Sequence, residues 1–198
     1  MDQRDNGGPG NRDRTAAVRL SCVTGRFQPV HHQHVELFAR ALEAGDVLLV
    51  AVTNPDPGGR RHEPHSAHRH EPAANPFTYL ERLRMLAATL AGMGATARAA
   101  IVPFDLTRPE HWHHYVPLEA TQFVGVSGDW EQEKVRRLSA AGYRVVSVAR
   151  EPAGRMSAAA VREAIAAGGH WQDLVPAAAV PVLEVALAER PWPARTGR

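Results

Sequence analysis

Three things are scarce in this chain of 198 residues: cysteine, lysine and long apolar runs. Cysteine occurs once, at Cys22, so no internal disulfide can form, and a lone thiol suits a reducing compartment. No apolar run approaches the ~20 residues a transmembrane helix needs. Residues 1–15 are polar and glycine-containing, without the apolar stretch of a secretion signal. These absences predict a cytoplasmic protein with no membrane partner. Lysine also occurs once, at Lys134; arginine carries almost all the positive charge, and acidic residues balance it to a formal net charge of +2. Such a balance gives no global support to nucleic-acid binding. What is abundant is histidine, with eleven copies. Metal binding, phosphate chemistry and a tag-like loop are three readings of that excess, and position has to separate them.

A chain of this length buries ~70% of its unfolded surface without a covalent staple. Residues 1–15 and 190–198 read as tails around a single domain over 16–189. Strands are predicted over 17–23, 46–53, 99–104, 122–127 and 144–148. Helices are predicted over 35–42, 78–90, 130–141, 158–167 and 177–188. Val35, Phe38, Ala39 and Leu42 form an i, i+3, i+4, i+7 stripe. Residues 46–53 form the near-continuous apolar run of a strand covered on both faces. Thr78 and Glu81 make a capping box. The alternation predicts an α/β fold, a Rossmann-like, doubly wound parallel sheet of about five strands. Such sheets bind ligands beyond the carboxyl ends of their strands. The turns after residues 23, 53, 104 and 127 are therefore the places to look.

At the first of these stands Gly25-Arg26-Phe27-Gln28-Pro29-Val30-His31-His32-Gln33-His34. Gly25 and Pro29 mark a turn, and His31 and His34 flank the start of a helix. A helix N-terminus favours a phosphate, and two imidazoles and a guanidinium add donors there. This segment resembles the GRFQPFHxGH signature of the HxGH nucleotidyltransferase superfamily, and in particular its archaeal-type nicotinamide mononucleotide (NMN) adenylyltransferases. Four further segments follow in order. Residues 75–82 (NPFTYLER) are similar to NPFTAGER, Ser127-Gly128-Asp129 to SGN, residues 156–162 (MSAAAVR) to ISGTxIR, and residues 171–176 (WQDLVP) to DWRxLVP.

The resemblance implies an enzyme that moves a nucleoside monophosphate from ATP or CTP to an acceptor phosphate and releases pyrophosphate. It implies no covalent enzyme intermediate and a triphosphate carrying Mg²⁺; it assigns no metal ligand to a protein side chain. It implies catalytic roles for His31, His34, Arg26 and Arg162. Nucleotide contacts are implied at Gly25, Phe27, Gln28, Ser127, Gly128, Asp129 and Ser157, where Ser157 also suits an N-cap. Acceptor contacts are implied at Asp105, Trp112 and Arg82, with Trp112 stacking on a nicotinamide ring. A homo-oligomer is suggested by the family, although no residue demonstrates one.

The departures from the pattern concentrate on the acceptor side. The HxGH glycine is Gln33, whose side chain must point elsewhere or contact substrate. The ISGT threonine is Ala159, and Asp129 replaces the asparagine of SGN. The arginine before NPFT is Ala74, and the asparagine three residues before the tryptophan is Pro109. The expected acceptor is therefore a small phosphate or phosphonate, leaning to a specialised-metabolism cytidylyltransferase acting on a phosphonate such as phosphonoformate. The alternatives are an ATP-dependent NMN adenylyltransferase and a non-catalytic nucleotide-binding regulator. Residues 54–74 carry His62, His65, His68 and His70, for which a phosphate-facing lid, a solvated loop and a metal site stay open. His32, His111, His113, His114 and His170 need no catalytic explanation.

Overall fold

Five short apolar segments pair into one sheet: β1 (Leu20–Gly25), β2 (Val47–Thr53), β3 (Ala99–Phe104), β4 (Thr121–Val126) and β5 (Val145–Ala149). The structure is a computed structural model that describes residues 17–60, 70–149 and 156–189. All pairings are parallel, in the order β3-β2-β1-β4-β5. The winding reverses between β1 and β4, which makes the crevice there the switch point of a doubly wound sheet. The principal helices are α1 (His32–Ala44), α2 (Tyr79–Gly92), α3 (Asp129–Ala140), α4 (Ala158–Ala166) and α5 (Val180–Ala188).

Side chains that alternate along the strands feed two separate cores. Val23, Leu48, Val50 and Val52 pack with Phe38 of α1, Leu86 of α2, Val161 of α4 and Leu183 of α5. Cys22, Ala51 and Val124 face the other way, toward Leu138 of α3, Phe104, Trp112 and Tyr143. The sheet is thus buried on both faces, which explains why residues 46–53 show no polar alternation. Burial raises the Cys22 thiol to about 11, so it behaves as an inert core residue. Among the described residues, no helix is long and apolar enough to cross a membrane.

The predicted strands lie within three residues of the observed ones. α1 begins three residues earlier than its apolar stripe, because its first turn is built from His32, Gln33 and His34, with His31 as N-cap. The last predicted helix divides into a 3-10 turn, Ala177–Ala179, and α5. Residues 54–74 contain 3-10 turns at Pro57–Gly59 and Pro72–Ala74. His62, His65 and His68, like both predicted tails, lie outside the described residues.

One buried cation locks the carboxyl ends of β1 and β2 together. Arg82 of α2 is 1% exposed. Its Nη1 donates to the carbonyls of Arg26 (2.9 Å) and Thr53 (2.7 Å), its Nη2 to Asn54 (2.9 Å), and its Nε to Thr78 (3.2 Å). Burial pulls the guanidinium down to about 10, so it remains charged at neutral pH. Arg82→Met should destabilise the fold by about 3 kcal/mol, since several buried carbonyls lose a charged donor together. Urea unfolding measures this, and a loss below about 1 kcal/mol would show that water replaces the guanidinium without penalty.

Candidate active site

The turn after β1 is shaped by a tight folding-back of the chain. Phe27 adopts φ 50, a left-handed conformation that is strained for an aromatic residue. Its ring lies over Gly25, where a Cβ would stand 2.8 Å from the ring, so only glycine fits. The ring meets His34 edge-on at 4.9 Å and Phe38 at 5.7 Å between centroids. Gln28 is buried and clasps the backbone of Phe77, donating to its carbonyl and accepting from its N–H, both at 2.9 Å. Gly25, Phe27 and Gln28, the residues implied as nucleotide contacts at this turn, all line the cleft, with the Gln28 amide engaged by Phe77 and the Phe27 ring packed over Gly25.

His31 and His34 stack with ring centroids 3.8 Å apart at the start of α1. The His31 backbone N–H donates to His34 Nδ1 at 3.2 Å. Nδ1 is then the acceptor nitrogen, which assigns the ring proton of His34 to Nε2. Arg26 Nη1 donates to the Ala74 carbonyl at 3.2 Å and to Asn75 Oδ1 at 3.4 Å. Opposite, Ser157 Oγ caps α4 by accepting from Ala160 N–H at 3.2 Å. Arg162 Nη1 donates to the Gln28 carbonyl at 2.7 Å, and burial lowers its pKa from the ordinary value. Two helix N-termini, two imidazoles and two guanidinium groups thus converge on one cleft. Gln33 joins the two helices. With its amide oriented to suit its neighbours, it donates to the Met156 carbonyl at 2.8 Å and accepts from Met156 N–H at 3.2 Å.

The cleft has a volume of about 450 Å³, within the usual range for small-ligand sites. Its other wall comes from the end of β4 and from α3: Ser127, Trp130, Glu131 and Lys134. Gly128 is the N-cap of α3 and Asp129 its first residue, and neither lines the cleft. Asp105, Trp112 and Arg82, the implied acceptor contacts, do not line this cleft. Trp112 is 2% exposed and packs against Phe104 and Tyr143 at 5.3 and 6.4 Å. Its Nε1 donates to the Asp105 carbonyl at 2.7 Å. It is a core residue whose edge lines a separate depression with Leu106, Pro109 and Arg137. Asp105 lines a neighbouring depression with Asn54, Asp56 and Arg108, and its carboxylate accepts from Thr107 N–H and Oγ1 at 2.9 and 2.7 Å. Arg82 points at backbone carbonyls and does not line the cleft.

The comparisons with known proteins agree with this geometry. The cytidylyltransferase-like family profile matches residues 22–162, from β1 through α4. The chain belongs to the cytidylyltransferase-like family. It is a nucleotidyltransferase. It is 38% identical over 163 residues to a phosphonoformate cytidylyltransferase of Streptomyces viridochromogenes, covering 82% of this chain and 89% of that one. It is 30% identical over 154 residues to a nicotinamide-nucleotide adenylyltransferase of Saccharolobus solfataricus, covering 77% and 82%. Among solved structures, a bifunctional NMN adenylyltransferase/ADP ribose pyrophosphatase from Francisella tularensis superposes with a TM-score of 0.59. At 15% identity, with 80% of this chain and 45% of that one covered, it supports the fold.

On α3 this cytidylyltransferase-like enzyme has three cleft residues that pattern reading missed, Trp130, Glu131 and Lys134. A signal was present: Trp130, Lys134 and Leu138 share one stripe of α3 at four-residue spacing, and Leu138 is fully buried. Among the described residues, no group of three or more His, Cys, Asp or Glu is placed to hold a metal. Gln33→Ala should free the α4 N-terminus. Amide exchange at Ala159–Val161 should accelerate about tenfold or more while global stability changes by about 1 kcal/mol or less. Unchanged exchange would show that the Met156 clasp orders nothing.

Proposed function

We propose that this enzyme transfers CMP from CTP to a small phosphonate, such as phosphonoformate, with release of pyrophosphate. The observation that carries the reading is the burial of Trp112. The ring expected to clamp a nicotinamide is locked in the core, while Arg26, Arg162 and Lys134 make the cleft cationic. The 38% identity to a phosphonoformate cytidylyltransferase supports it.

In this mechanism a phosphonate oxygen attacks the α-phosphorus, a new P–O bond forms, and the bond to the bridging oxygen breaks to release pyrophosphate. No side chain becomes bonded to substrate; the protein positions the reactants and stabilises charge. His34 Nε2–H and His31 would donate to phosphate oxygens. The N-termini of α1 and α4 and Arg162 would receive the β- and γ-phosphates. Mg²⁺ would arrive on the triphosphate and neutralise part of its charge. Glu131, the one acidic side chain lining the cleft among the described residues, is the residue suited to face it. A cytoplasmic setting accords with the single, buried thiol.

The alternative, an ATP-dependent NMN adenylyltransferase, is favoured by Trp130, an indole in the cleft. One side of Trp130 faces Arg137, whose guanidinium carbon lies 5.7 Å from the ring centroid. Pyrophosphate release across the common nucleoside triphosphates, with phosphonoformate, phosphate esters and NMN as acceptors, separates the readings. CTP with a small phosphonate is the expected pair, and NMN the poor acceptor. Efficient NAD formation from ATP at micromolar NMN would reverse the assignment, and release with no pair would point to a non-catalytic regulator. His34→Ala should reduce turnover by roughly 10²–10³, the scale of removing one charge-stabilising donor. Near-normal turnover would remove His34 from the mechanism.

A further inference from the structure

Lys134 is the only lysine in a chain that otherwise carries its positive charge on arginine. It occupies a core-facing position of α3 and is 8% exposed. Its side chain runs toward the sheet, and its ammonium donates to the Thr24 carbonyl near the carboxyl end of β1. That places the charge at the β1–β4 crevice, on the floor of the cleft. The floor beneath it is polar: Thr24 Oγ1 donates to Gln122 Oε1 at 3.0 Å, and Cys22 Sγ lies 3.7 Å from Thr24 Oγ1; Glu131, one turn earlier on α3, lines the same cleft.

The direction of approach matters. His31, His34, Ser157 and Arg162 come from α1 and α4, whose core lies on one face of the sheet. Lys134 comes from α3, whose core lies on the other. A triphosphate gripped by the α1 and α4 termini leaves the α3 side of the floor to the acceptor. A small anionic group of the acceptor suits that position, because opposite charges attract more strongly away from bulk water, and the hydrogen bond to Thr24 leaves the ammonium further donors. A compact ammonium suits one small anionic group, whereas a guanidinium favours broad, bidentate contact.

We propose that Lys134 is an acceptor-binding residue that pairs with a second anionic group of the acceptor, a carboxylate beside the attacking phosphonate. The assignment rests on the phosphonate reading above and sharpens it to a carboxyphosphonate class. The same charge opposes a nicotinamide mononucleotide, whose pyridinium ring is itself cationic, so one residue both attracts one acceptor and rejects another.

The test compares wild type with K134M and K134Q, using CTP and either phosphonoformate or methylphosphonate, which lacks the carboxylate. Circular dichroism and CTP binding confirm that the variants are folded. For phosphonoformate, kcat/KM should fall by roughly 10–100-fold through acceptor KM, with a much smaller fall for methylphosphonate and an unchanged KM for CTP. Equal losses for both acceptors, or a rise in KM for CTP instead, would overturn the assignment. Wild type inactive with every phosphonate would refute the phosphonate reading itself and the assignment with it. A second measurement needs no mutation. Protein labelled with ¹³C-lysine has one lysine Cε signal, which phosphonoformate should shift in the presence of a non-hydrolysable CTP analogue. No shift, or an equal shift with methylphosphonate, would overturn the proposal.

Discussion

The buried guanidinium of Arg82 is the constraint on which the cleft depends. Parallel strands end with carbonyls that no neighbouring strand satisfies, and a ligand site beyond those ends needs its floor held without them. Arg82 gathers the carbonyls of Arg26, Thr53 and Asn54 and ties them to the first turn of α2. Asn54 turns away from β2 at φ 52, and Phe27 turns away from β1 at φ 50. Both chain reversals occur beside carbonyls that this cation holds. Burying a guanidinium is unfavourable by itself, and the ring of carbonyl acceptors offsets that loss.

From this fixed floor the two walls rise independently. One is made from the stacked His31 and His34, the capped α4 and Arg162. Gln33, where the related motif has glycine, links α1 to Met156, the residue before the N-cap of α4, and holds them at one spacing. The other wall belongs to α3 and contributes an indole and an ammonium. The two walls are therefore carried by helices that pack into different cores.

The strands and most helices were legible because a sheet covered on both faces leaves continuous apolar runs, and amphipathic helices leave stripes. The start of α1 was hidden because its first turn is made of histidines and glutamine, which carry no apolar signal. The wall built from α1 and α4 was legible through collinear motifs. The placement of the residues implied for the acceptor was not, and Trp112 shows why. Its seven-residue separation from Asp105 matches a ligand pattern, yet the same spacing closes a turn through a hydrogen bond from the indole to the Asp105 carbonyl. Spacing alone does not distinguish an outward ring from an inward one. Lys134 shows the converse. A charged residue on a core-facing stripe reads as an exception to periodicity until the sheet beneath it is known to end in a cleft.

The division of the molecule into two cores bears on how such an enzyme can change. Among the described residues the two cores lie on opposite faces of the sheet, so a change in volume behind α3 is separated by the sheet from the packing behind α1 and α4. Substitutions in and beneath α3 can then reshape that wall under no obligation to rebuild the other. The separation makes the α3 wall an evolvable module within one unchanged frame.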